Sequence, residues 1–154
     1  NYKHAFKAGL AMLQEGFEEF FLFGFYPKEN KRYLGFRDAV KNKCRSIHYI
    51  RINEFESLST AVSILSNMTD HTGIFLCDYS AVHYIASLCS RYAITFIERS
   101  IQAYDWEDEA IKYPNVQSIP CAAPSFKDIG YHLCDTLMVK WDTGAYPEPL
   151  QRKV

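Results

Sequence analysis

Apolar positions along this chain switch repeatedly between helical spacing and short continuous or alternating runs. Residues 2–15 set Phe6, Leu10 and Leu13 on one helical face, and Gly16 supplies a C-terminal stop. Phe20–Phe25 is an unbroken aromatic and aliphatic run, which predicts a strand buried on both faces. Pro27 ends it and Asn30 is placed to cap a helix. From Lys31 onward, Tyr33, Phe36, Arg37 and Val40 recur at helical spacing. Ile47–Ile52 reads as a second strand, with Ile50 and Ile52 alternating against Tyr49 and Arg51. A third helix is expected from Ser57 to Met68, striped by Leu58, Ala61, Val62, Leu65 and Met68. Ile74–Cys77 is a third buried strand, and Asp78 caps a fourth helix that buries Val82, Ile85, Ala86 and Cys89. Ile94–Ile97 is read as a fourth strand, Glu98–Pro114 as an irregular connection, and Val116–Ile119 as a last strand. Ser125 and Asp128 then open a final helix carrying Ile129, Leu133, Thr136, Leu137 and Trp141.

Strands alternating with helices at this spacing predict an α/β fold, a mostly parallel sheet flanked by helices on both faces. With 154 residues the chain is long enough to bury a core of its own. It opens on Asn1, inside a helical pattern and without an initiator Met, and is read as part of a longer protein.

Charge and composition then narrow the function. The formal net charge is -1, with no clustered excess of Lys and Arg, so this chain has no electrostatic footprint for nucleic acid. Five cysteines, odd in number and without a C-x-x-C pair, suit free thiols in a reducing compartment. The five histidines lack ligand spacing, so no metal is expected. Neither G-x-G-x-x-G nor G-x-x-x-x-G-K occurs, and no cofactor is expected. No run approaches the ~18 apolar residues of a membrane span.

The most informative chemistry lies where a strand hands over to a helix. In open α/β sheets ligands bind outside the carboxyl ends of the strands. The loop Tyr26-Pro27-Lys28-Glu29-Asn30, with Arg32 behind it, therefore forms the first candidate binding edge. The plainer reading of Arg32 is a helix-surface arginine paired with Glu29. Asp78 at the next strand end is either a helix N-cap or a ligand contact. Cys77 beside it is either a buried core thiol or one acidified by the helix N-terminus.

Several motifs appear together and in order. They are Arg32-Tyr33-Leu34-Gly35-Phe36-Arg37-Asp38-Ala39, an R-x-x-G-F-x-x-A box; Gly73-Ile74-Phe75-Leu76-Cys77-Asp78 with Ala81; and Asn115–Pro120 leading into Phe126-Lys127-Asp128-Ile129-Gly130. In these the chain resembles the lac-repressor/galactose-repressor type of effector-binding domain, which shares its fold with periplasmic sugar-binding proteins. The resemblance implies a type I periplasmic-binding-protein-like subdomain over residues 1–120. Residues 121–154 would be a crossover helix and tail returning to a first subdomain that precedes Asn1. It implies the sensing part of a cytoplasmic, dimeric transcriptional regulator without catalysis, touching DNA only through a headpiece outside this chain.

Ligand contacts implied by the resemblance are Arg32 for sugar hydroxyls, Phe55 stacking on the ring, Phe126 closing the pocket, and Asp78 opening the next helix. Cys77 stands where the family usually has Asn, and Glu98-Arg99 where it usually has Gly-Phe-Asp-Asp. With Tyr26 and Lys28 at the rim, Arg32 and Arg99 facing one cleft suit a ligand bearing a carboxylate or phosphate. The alternatives are an exported sugar-binding protein or receptor of the same fold, and a small flavodoxin-like enzyme using Cys77. On the sensor reading, the stripe Ile129, Leu133, Leu137 and Trp141 lacks its sheet within this chain. It is expected to be buried against a second copy or folded back.

Overall fold

The structure is a computed structural model that describes residues 1–52, 57–95, 100–104, 133, 134 and 138. Four helices alternate with four strands among the described residues: α1 (Tyr2–Gln14), β1 (Glu19–Gly24), α2 (Lys31–Val40), β2 (Ser46–Arg51), α3 (Ser57–Ser66), β3 (Thr72–Leu76), α4 (Tyr79–Tyr92) and β4 (Ile101–Ala103). All pairings are parallel and the strand order is β2-β1-β3-β4. The expected α/β architecture is therefore present, with β1 and β3 as the two inner strands.

The aromatic run becomes the inner strand because both of its faces are covered. Phe20 and Leu22 point to the core beneath α1 and α2, while Phe21 and Phe23 point to the core beneath α3 and α4. This is the two-residue period of a strand laid between two helical layers. All five residues of β3 are buried for the same reason. β2, at the sheet edge, is only half-covered.

α1 and α2 approach each other through small residues. α1 buries Ala5, Ala8, Gly9 and Met12, whereas Phe6, Leu10 and Leu13 flank the seam half-buried. The buried stripe is thus one step round from the large residues that the pattern singled out, because close helix contact needs small side chains there. A Cβ on Gly9 would stand 2.9 Å from the Cβ of Ala39, and one on Gly35 would collide with the backbone carbonyl of Tyr2. The next residue, Phe36, is fully buried, edge-on to Phe20 (ring centroids 5.4 Å apart) and stacked on Phe75 (4.5 Å). At the exposed end of this seam Asp38 accepts from the Tyr2 hydroxyl and pairs with Arg37 and Lys41. These partners, Arg37 first, hold its carboxyl down at about 2.

On the opposite face α3 buries Ala61 and Leu65, leaves Val62 at the edge of the core and exposes Leu58; it ends at Ser66, two residues short of Met68, which packs against the core from beyond the helix. α4 buries Val82, Ile85, Ala86 and Cys89 as expected, together with Ala81 and Leu88. The strand expected at Ile94–Ile97 requires correction. Ile94 and Thr95 lie in no strand, and the strand paired with β3 is Ile101–Ala103, inside the Glu98–Pro114 stretch expected to be an irregular connection. Ala93 takes a left-handed conformation and the Ile94 amide donates back to the carbonyl of Cys89. Ile94 is apolar because it is the buried residue that closes this helix terminus. Phe96–Arg99, residues 53–56, the Val116–Ile119 strand and most of the Ser125–Trp141 helix lie outside the described residues. The chain divides into two compact units, Asn1–Ala123 and Pro124–Val154. In the second, Leu133, Cys134 and Met138 are helical and exposed.

Candidate functional site

The strand order dictates where a crevice forms. From β1 the chain crosses by α2 to β2 on one side, then by α3 back over β1 to β3 on the other. The order reverses between β1 and β3, and it is outside the carboxyl ends of the strands at such a point that open α/β sheets form a crevice for ligands. α2 starts beside this point from one face of the sheet and α4 from the other.

Asp78 ties the two strand ends together. One carboxylate oxygen accepts from the Ala81 amide (2.9 Å), capping α4, and the other accepts from the Phe25 amide (2.8 Å), just past the end of β1. The residue is buried; its bond to Ala81 is enclosed and its bond to Phe25 partly so. Gly24 makes room for this arrangement. A Cβ there would stand 2.6 Å from the Tyr49 hydroxyl and 3.3 Å from Asp78 Oδ2.

Arg32 reaches across the same crevice. The Asn30 side chain accepts from the Arg32 amide at 2.8 Å and starts α2. From that first turn the Arg32 guanidinium donates to the Cys77 carbonyl (2.9 Å) and lies 4.2 Å from the centre of the Tyr104 ring. Tyr104 follows β4, and its hydroxyl donates to the Asn1 side chain at 2.8 Å. Arg32 therefore spans from α2 to the ends of β3 and β4.

The Cys77 side chain is buried in the core beneath α1 and α2. Burial, and next the Asp78 charge beside it, push its thiol well above the usual range, while Arg32 opposes weakly. What Cys77 offers the rim is its carbonyl, which Arg32 already holds. The Tyr49 hydroxyl donates to the Tyr26 carbonyl, and burial holds that phenol well above its ordinary pKa, so it stays protonated. This bond and the turn in which the Asn30 amide donates to Pro27 (3.1 Å) fix the loop over the end of β2.

Beside the crevice, Pro27, Lys28, Glu29, Tyr49 and Arg51 line a hollow of about 310 Å³. A second hollow of about 330 Å³, lined by Leu10, Leu13, Gln14, Gly16, Phe17, Glu18 and Lys43, sits at the amino ends of the strands. The first is the candidate site, since it lies at the carboxyl ends of the strands, between the loop after β1 and the end of β2, and carries two cations.

Tyr26, Lys28, Arg32, Cys77 and Asp78 thus come together on one rim of the sheet. Phe55, Arg99 and Phe126 lie outside the described residues. Sequence reasoning did not single out Tyr49, Arg51 and Tyr104 for this rim. The alternation of Tyr49 and Arg51 against Ile50 and Ile52 placed the first two on one face. Only the strand order brings that face beneath the Tyr26–Asn30 loop. Among the described residues no cluster of His, Cys, Asp or Glu could hold a metal ion. No protein-family model matches the sequence, and no curated protein matches it.

Proposed function

We propose that this domain is the effector-sensing part of a bacterial transcriptional regulator, binding a sugar or related small polar metabolite in the crevice between β1 and β3. The observation that carries the proposal is the placement of Arg32. A guanidinium rooted in the first turn of α2 is aimed across the point where strand order reverses, with Asp78 bracing both strand ends. Its fork suits vicinal hydroxyls or an oxyanion. The same positions carry the resemblance to sugar-responsive repressors, which supports the reading from sequence.

In this reading the ligand favours one relative orientation of the two subdomains of a complete sensor. A dimer passes that difference to DNA-binding headpieces. The ligand can act so only through unequal affinity for the two orientations. Cys44, Cys77, Cys89 and Cys134 are free thiols, in keeping with a cytoplasmic setting. Among the described residues no helix is long and apolar enough to cross a membrane. A thiol enzyme is disfavoured by the burial of Cys77 and the upward shift of its pKa.

The test is a thermal-shift panel of neutral sugars, sugar phosphates and sugar acids, followed by titration of the best compound against Arg32→Ala and Arg32→Lys. Removing the guanidinium is expected to weaken binding by about 1–3 kcal/mol, roughly 5- to 150-fold. Lys, which keeps the charge without the fork, recovers only part of it. Unchanged affinity in Arg32→Ala would reduce Arg32 to a packing residue and remove the main support for the proposal.

A further inference from the structure

We propose that Lys28 and Arg51 form a subsite for an oxyanion, so that the ligand is a phosphorylated or carboxylated sugar derivative rather than a neutral sugar. This deepens the sensor reading and rests on it. Arg51 closes β2 at its carboxyl end, and Tyr49 shares its face of the strand, the face that packs beneath α2. Lys28 comes from the loop above and lines the same hollow.

Three features point to an anion. First, Arg51 is half-buried at the end of β2 and lines the hollow. A guanidinium offers an oxyanion parallel, charge-assisted N–H bonds. Second, among the described residues the hollow is lined by two cations, Lys28 and Arg51, and one acid, Glu29. Third, the Tyr49 hydroxyl is committed to the Tyr26 carbonyl and so acts by holding the Lys28 loop over Arg51. At about 310 Å³ the hollow has room for a phosphate or carboxylate with part of a sugar. Arg32, on the β3 side of the crevice, is left to the hydroxyls.

The experiment is an amide chemical-shift titration of the chain with inorganic phosphate, acetate, glucose 6-phosphate, gluconate and glucose at constant ionic strength, with chloride as control. Phosphate alone is expected to shift the amides of Lys28, Glu29 and Arg51, and acetate to do so if the subsite also takes carboxylates. The stronger shift of glucose 6-phosphate or of gluconate tells which anion is preferred. Lys28→Gln and Arg51→Gln should each weaken phosphate binding at least tenfold. Lys28 is exposed, so its variant keeps the fold, and circular dichroism checks that of Arg51→Gln. If phosphate and acetate leave these amides unmoved, or move them equally in both variants, the subsite is overturned. A neutral sugar that binds with the same affinity in wild type and both variants overturns the subsite while leaving the sensor reading in place.

Discussion

A thiol at the carboxyl end of a strand, just before a helix, is ordinarily acidified by the helix N-terminus. In Cys77 burial wins. The side chain is 2% exposed and faces apolar side chains of α1 and α2, and the Asp78 carboxylate adds to the upward shift. Cys89, buried in the other core, is raised to about 11 by the same cause. A thiol whose folded pKa exceeds its unfolded value of about 8.5 contributes stability below that value. The contribution is lost as pH rises towards the folded values. Urea midpoints are therefore expected to hold between pH 7 and 8 and to fall above about 8.5. Mass spectrometry after brief alkylation at neutral pH should find Cys134 modified and Cys77 untouched. Rapid modification of native Cys77 would contradict this account and restore the thiol-enzyme alternative. At this scale the caps were legible in the sequence, because Asn30 and Asp78 are short acceptors standing just before helical patterns. Arg51 and Tyr104 were not, because their roles depend on which strands become neighbours.

At the scale of elements, the R-x-x-G-F-x-x-A box has a physical explanation residue by residue. Arg32 bridges to β3, Gly35 admits the Tyr2 carbonyl, Phe36 wedges between Phe20 and Phe75, and Ala39 abuts Gly9. Three of the four serve packing, and only Arg32 reaches across to the end of β3. Asp78 is the corresponding brace between β1 and α4. Asp78→Ala removes a helix cap, at about 0.5–2 kcal/mol. It also leaves the Phe25 amide without its acceptor, at about 1–3 kcal/mol more. Asp78→Asn keeps one acceptor oxygen and should lose distinctly less. Urea unfolding of both variants measures this, and equal losses would mean that the second bond contributes little. Two elements were misjudged in the sequence for identifiable reasons. The α1 stripe was read from its large residues, while the buried seam needed small ones. Ile94 was read as the start of a strand, while it closes a helix terminus, and β4 lies beyond it at Ile101–Ala103.

For the molecule as a whole, periodicity alone was enough to predict a parallel α/β sheet, since each strand is followed by a helical pattern. It could not supply the order β2-β1-β3-β4, because parallel crossovers of similar length can step to either side. That order turns separate strand ends into one rim, with Arg32 and Asp78 at the ends of β1 and β3 and Lys28, Tyr49 and Arg51 around the neighbouring hollow. The claim that a small ligand binds there is tested most directly by a co-crystal structure with the tightest compound of the thermal-shift panel. The account predicts ligand density at the carboxyl ends of β1 and β3, hydrogen-bonded to Arg32 and with its anionic group between Lys28 and Arg51. Density instead in the hollow lined by Leu10, Leu13 and Phe17, at the amino ends of the strands, would contradict it.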